Sequence, residues 1–306
     1  MKILQNTRGL GFAACALAGA LWGCSFLAGK IALVETDFAH MILYRFLFAS
    51  LALAPFLVSN RLLLTRREWW ILLLASFLGV PMQFLIQFYG LSLTTVSHAS
   101  LMVGAMPVIL AVGAALYAHE RLDALGWTAL AVSTCGAALI ALSGNHHPTH
   151  GAATLAGDLL VVLSMGMALF WILLNKQLLE RHSVIGITSY GVLLGTIMLM
   201  VWVPLRYGMP PLRGISRRVW IAIAISGLLC TAAPKLLWNW GVARVPASQA
   251  GVLLNMQPVV GCLLGIAVLK ERLGLLAWGG GILILTATVA LTTKSTATVR
   301  EPLPEI

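Results

Sequence analysis

Residues 97–127, SHASLMVGAMPVILAVGAALYAHERLDALGW, and residues 248–278, SQAGVLLNMQPVVGCLLGIAVLKERLGLLAW, align without a gap at an offset of 151. Pro107 falls on Pro258, Val108 on Val259, Glu120-Arg121-Leu122 on Glu271-Arg272-Leu273, Leu125 on Leu276 and Trp127 on Trp278, seven identities in the 21 positions from Pro107 to Trp127. Gly90 on Gly241, Ser97 on Ser248 and Ala99 on Ala250 extend the match upstream. Leu and Ala coincide by chance in an apolar chain, but a Pro, a Trp and a Glu-Arg-Leu triplet in one register do not. The stretch is read as part of a duplicated unit.

The 306 residues are 59% hydrophobic and only 10% charged, against about 25% charged in soluble proteins. That excludes a soluble globular chain and predicts a polytopic membrane protein, all-α because only helices and closed barrels satisfy their backbone in lipid. Ten apolar runs are long enough to span: 10–34, 40–59, 69–91, 97–117, 125–142, 155–174, 184–205, 219–242, 247–268 and 275–292. The duplication divides them into two five-span units, 10–142 and 155–292. An odd number of spans per unit turns the second copy upside down in the membrane, the inverted repeat of many secondary transporters. Connections are short, which leaves the membrane as the place where function resides.

Charge sets the expected orientation. With the N-terminus in the cytoplasm, the inside segments of the first unit carry Lys2, Arg8, Arg61, Arg66, Arg67 and Arg121, and the outside segments carry no Lys or Arg. The second unit divides five inside against six outside, so cytoplasmic N- and C-termini rest on the first unit and the span count. The net charge of +10 falls between apolar runs, which makes it a topology signal and not a nucleic-acid face. Trp22 spoils the small-residue pattern of a cleavage site, and the run continues to Val34; the first segment is read as an uncleaved helix. Cys15, Cys24, Cys135, Cys230 and Cys262 lie inside apolar runs without ligand spacing, so neither disulfide nor metal is expected. His146, His147 and His150 are interrupted by Pro148 and read as a solvated loop.

Each unit resembles the EamA repeat of the drug/metabolite transporter superfamily. The resemblance is carried by Ala99 to Pro107 with Glu120-Arg121-Leu122, and by Ala250 to Pro258 with Glu271-Arg272-Leu273 and Gly279-Gly280-Gly281. Leu21-Trp22-Gly23, Arg45-Phe46 and Gly157-Asp158-Leu159-Leu160 add to it. It implies ten transmembrane helices as two inverted five-helix repeats around a central cavity. It also implies export of small metabolites, amino acids among them, by alternating access across a bacterial inner membrane. No catalytic group, cofactor or metal is expected.

Interrupted helices at matching places in two halves are the best pointer to a transporter site. Pro81 and Pro234 lie in the third and eighth spans, Pro107 and Pro258 in the fourth and ninth, and all four are read as kink or gating positions. Polar side chains inside lipid face protein or water. Gln83 and Gln87 share a face of the third span, Lys235 and Asn239 a face of the eighth, and Asn255 stands in the ninth. With Trp22, Phe26 and Trp171 they form the expected substrate-binding set. Lys30 and Arg45 are assigned interface or packing roles because both lie near span ends. No acidic residue sits at mid-span, which favours a neutral, zwitterionic or anionic substrate over a lipophilic cation. The Gly/Ala-rich fifth and tenth spans can pack within a monomer or between subunits of a homodimer. Two other classes compete: an intramembrane enzyme, which needs a nucleophile–base pair or metal motif, and a non-transporting sensor, which normally brings a soluble domain.

Overall fold

The computed structural model describes residues 2–106, 108–109, 113, 124–143, 153–242 and 253–298. Among the described residues every regular element is helical. In chain order these are α1 (Lys2–Ala32), α2 (Phe38–Ser59), α3 (Arg66–Phe77), α4 (Gln83–Ser92), α5 (Val96–Val103), α6 (Ala124–Ser143), α7 (Leu155–Leu179), α8 (Val184–Tyr207), α9 (Arg217–Gly227), α10 (Ala233–Val242), α11 (Met256–Leu269) and α12 (Leu275–Thr298). A π-helical turn, Leu78–Met82, joins α3 to α4, and another, Leu228–Ala232, joins α9 to α10.

The helices start where short polar side chains can take up orphan N–H groups. Asp37 accepts from the Ala39 and His40 N–H groups ahead of α2. Thr65 and Glu68 form a capping box on α3, and Thr95, Ser183 and Ser216 cap α5, α8 and α9. Thr65 and Ser216 are themselves 151 residues apart, the offset of the duplicated stretch. α8 stops at Gly208, whose φ of +86° is a left-handed value that glycine adopts at no steric cost; Pro210 and Pro211 follow.

Six helical stretches are long and apolar enough to cross a membrane: Gly9–Ala32, Phe38–Ser59, Arg66–Ser92, Leu155–Leu179, Val184–Tyr207 and Arg217–Gly241. Trp127–Ile140, Met256–Leu269 and Leu275–Ala287 are shorter apolar helices. The protein is therefore a multi-pass helical membrane protein. These nine stretches fall on nine of the ten apolar runs; the fourth run, 97–117, is described only in part, as α5 and residues 104–106, 108–109 and 113. Leu51, Val58, Trp70, Leu163, Val201 and Trp202 stand exposed, as lipid contact requires. Phe26, Met41, Ile42, Phe46, Phe84 and Phe88 are buried in one continuous core.

The first half of the chain packs helix by helix on the second: α1 on α10 and α11, α2 on α8 and α9, α4 on α7, α5 on α11, and α6 on α12. The last pair is the Gly/Ala-rich pair, and it meets within the chain. A Cβ on Gly136 of α6 would lie 2.6 Å from the carbonyl oxygen of Gly280 in α12, so only glycine allows the two backbones this close.

Candidate functional site

Proline cannot donate to the carbonyl four residues earlier, so the partner that takes up that carbonyl shows what each break is for. Pro81 sits within the first π turn. Pro234 follows the second, and the carbonyl it leaves free is that of Cys230. Arg45 supplies the missing donor: its Nη2 reaches the Cys230 oxygen at 3.2 Å, Nε donates to Thr231 Oγ1 at 2.6 Å and Nη1 to Ser25 Oγ at 2.8 Å. The guanidinium lies 4.8 Å from the Phe84 ring centroid and 5.0 Å from that of Phe88, a cation–π arrangement. Arg45 is fully buried, which corrects the expected interface position: its side chain turns inward to the break in the α9–α10 span, not outward to the headgroups. A packing role stands.

In the ninth span the helix is interrupted at Leu254 and Asn255, just before α11. The carbonyl freed by Pro258 belongs to Leu254, and the Gln257 N–H takes it at 3.0 Å in a tighter bond. Gly104 and Ala105 form the corresponding interruption after α5; Pro107 lies outside the described residues.

Lys235, one residue past Pro234, is 6% exposed, and its ammonium stands 4.2 Å from the centroid of Trp171. The two line a small enclosed cavity with Ser76, Asn175, Thr188 and Val192. Its volume, about 10 Å³, is room for a single water. Asn239, one turn further along α10, donates from Nδ2 to Thr188 Oγ1 at 2.6 Å, and Thr188 in turn donates to the Val184 carbonyl at 2.7 Å. Among the described residues, α3, α7 and α8 thus meet the ammonium carried by α10 with hydroxyls and an amide but no carboxylate. Among the described residues the ion pairs within 4 Å are His40–Asp37, His98–Asp158 and His182–Glu68; neither Lys235 nor Arg45 has one. An uncompensated buried charge is costly, and a ligand of opposite charge removes that cost.

The remaining expected contacts divide. Trp22 packs on Trp238 with ring centroids 5.6 Å apart, half-buried. Phe26 is buried against Phe88 and belongs to the aromatic stack beneath Arg45. Gln83 is half-buried and Gln87 buried, both on α4, yet neither lines the Lys235 cavity. Asn255 keeps both polar side-chain atoms buried without a hydrogen-bond partner, an amide left for a ligand or a water to satisfy. Sequence reasoning missed Asn175 and Thr188. The signal was present: Asn175 is four residues after Trp171 and so on the same face of α7.

A second polar cluster closes the end of the bundle that carries the α1–α2 turn. Asp158 accepts from Thr94 Oγ1 at 2.5 Å and pairs with His98 Nδ1 at 3.0 Å, while Ser143 Oγ lies 3.4 Å from His98 Nε2. This is the composition of a nucleophile–base–carboxylate relay. The Ser143 hydroxyl, however, donates to the Ile140 carbonyl at 2.7 Å, so its oxygen faces His98 as an acceptor. Lys30 donates to the Leu91 carbonyl at 2.8 Å and to that of Thr94. Glu271, from the second Glu-Arg-Leu triplet, accepts from the Val96 and Ser97 N–H groups at 2.8 Å each. A carboxylate at the start of α5 is favoured by the helix dipole. The cluster ties α1, α4, α5, α6, α7 and the α11–α12 turn together as a plug.

The model of the EamA-like transporter family matches residues 9–142 and again residues 155–293. The chain belongs to the EamA-like transporter family. An "Uncharacterized transporter" of Archaeoglobus fulgidus is 24% identical over 281 residues, covering 91% of this chain and 96% of that one. The "Probable terminal-alkyne amino-acid exporter" of Streptantibioticus cattleyicolor is 25% identical over 288 residues, covering 92% of each. A solved crystal structure shares the fold with a TM-score of 0.65 at 14% identity, covering 97% of this chain and 99% of the other.

Proposed function

We propose that this EamA-like transporter exports small zwitterionic or anionic metabolites, amino acids above all, and that Lys235 receives the substrate carboxylate. The observation that carries this reading is a buried ammonium that lines one cavity with Asn175, Thr188 and Ser76 and has no carboxylate partner among the described residues. A carboxylate ligand would supply the counter-charge once per cycle. The relative named as a probable amino-acid exporter supports the same substrate class. On this reading the units 10–142 and 155–292 form two inverted five-helix repeats around a central path, working by alternating access in the bacterial inner membrane, with both termini cytoplasmic. Trp171, Asn239 and Asn255 contribute to the site, Trp22, Phe26, Gln83 and Gln87 line its approach, and the breaks at Pro81, Pro107, Pro234 and Pro258 let the helices bend between states.

The test is counterflow of radiolabelled amino acids into proteoliposomes. Lys235→Met keeps roughly the length and removes the charge, and it should lower apparent affinity at least tenfold in a protein that remains monodisperse. Unchanged affinity with a lower thermal midpoint would make Lys235 a packing residue and end the proposal.

A further inference from the structure

Beside the Lys235 cavity lies a much larger apolar groove of about 670 Å³, within the 300–1,000 Å³ range of small-molecule sites. Leu10, Ala13 and Leu17 of α1, Ile185 of α8 and Leu237 and Trp240 of α10 line it, at the end of the bundle opposite the Asp158 plug. Two features place it next to the polar cavity. Asn239 lines the groove while its hydrogen-bond partner Thr188 lines the cavity. Lys235 and Leu236, adjacent on α10, face the cavity and the groove respectively. The 2.6 Å Asn239–Thr188 hydrogen bond is therefore the partition between a compartment with an ammonium and one with hydrocarbon walls.

We propose that the two compartments are the halves of one amphipathic substrate site, so that the substrate is an amino acid with an unbranched or bulky apolar side chain. This rests on the reading of Lys235 as the carboxylate contact. The polar cavity has room for one water in the present conformation, too little for a carboxylate. Asn239 must swing away from Thr188 for the carboxylate to reach Lys235, and its freed amide then meets the polar end of the ligand. The side chain stays in the groove, where each methylene leaves water. A small or charged side chain gains nothing there, and a second carboxylate would be desolvated against Leu17 and Leu237 without a partner.

The experiment uses the full chain in proteoliposomes, with counterflow of labelled norleucine competed by alanine, 2-aminobutyrate, norvaline, norleucine and glutamate. Burial at about 0.8 kcal/mol per methylene corresponds to an approximately fourfold gain in apparent affinity for each added carbon, with glutamate the weakest competitor. Ala13→Phe, which fills the groove, should flatten the series by bringing norleucine down towards alanine. A flat series in the wild type, or glutamate as the best competitor, overturns the proposal while leaving amino-acid transport standing; the groove then holds lipid. No flux of any of these amino acids overturns the transport reading and this inference with it. Because the wild-type series decides alone, the outcome does not depend on the folding of the variant.

Discussion

Arg45 donates to three acceptors on two other helical segments, Ser25 on α1 and Cys230 and Thr231 in the second π turn. Removing it leaves buried acceptors unpaired, each costing about 1–3 kcal/mol. Arg45→Met should therefore lower the thermal midpoint of the detergent-solubilised protein by several degrees, and Arg45→Lys should recover only part, because an ammonium lacks the planar fork that spans three directions. An unchanged midpoint for Arg45→Met would remove it as a tie. In the α1–α2 turn, outside the spans, the Ser216 N–H donates to Glu35 at 2.6 Å. That bond, with the Ser216 hydroxyl and then Arg218 behind it, holds the Glu35 carboxyl below its ordinary value. A depressed pKa stabilises the fold above the unfolded value near 4.3 and ceases to do so as pH falls through the folded one. The midpoint difference between wild type and Glu35→Gln should thus shrink as pH is lowered from 6 to 3, and a difference independent of pH would refute the contact. Lys235, Asn239 and Trp171 were legible in the sequence because polar or amphipathic groups inside apolar runs stand out. For Arg45 the sequence left interface and packing roles side by side, because distance from a span end says nothing of which way a side chain turns. The Asp158–His98 pair escaped notice because 60 residues separate its members.

At the scale of elements, the two π turns occupy matching places, Leu78–Met82 and Leu228–Ala232. Such turns, frequent at functional sites, widen a helix by one residue and leave it able to bend. The prolines made both breaks readable from the sequence, but not their π character, which depends on what fills the gap. In the second turn that filling is Arg45 on the Cys230 carbonyl. Pro234→Ala returns an N–H to that carbonyl and sets it in competition with Arg45. It should stiffen the α9–α10 span and reduce counterflow severalfold with expression intact; flux equal to wild type would reduce the break to a packing feature. The fourth and ninth spans were less legible at this scale: the interruptions at Gly104-Ala105 and Leu254-Asn255 fall two to four residues before Pro107 and Pro258 in the chain, not at them.

Across the whole molecule, the apolar runs and the 151-residue offset announced the helical bundle, because lipid permits so few backbone solutions. The pairing of helices between halves was not announced, since in an all-apolar environment small residues and hydrogen bonds choose the neighbours. The inverted arrangement proposed above has a direct consequence for sidedness. With the native cysteines replaced, single cysteines at Arg61 and Thr154 should react with a membrane-impermeant maleimide from opposite sides of the membrane, Arg61 from the cytoplasm; labelling from one side would break the two-unit scheme. The bond between Arg45 and Thr231 also sets a schedule for biogenesis. Its partners are separated by 186 residues, and at about 5–20 residues per second a ribosome needs roughly 10–40 s to deliver the second after the first. Through that interval the nascent first half carries a cation inside the bilayer with Ser25 in place but two of its three acceptors not yet made, so water, a lipid phosphate or the insertion machinery must stand in for them until the eighth span arrives.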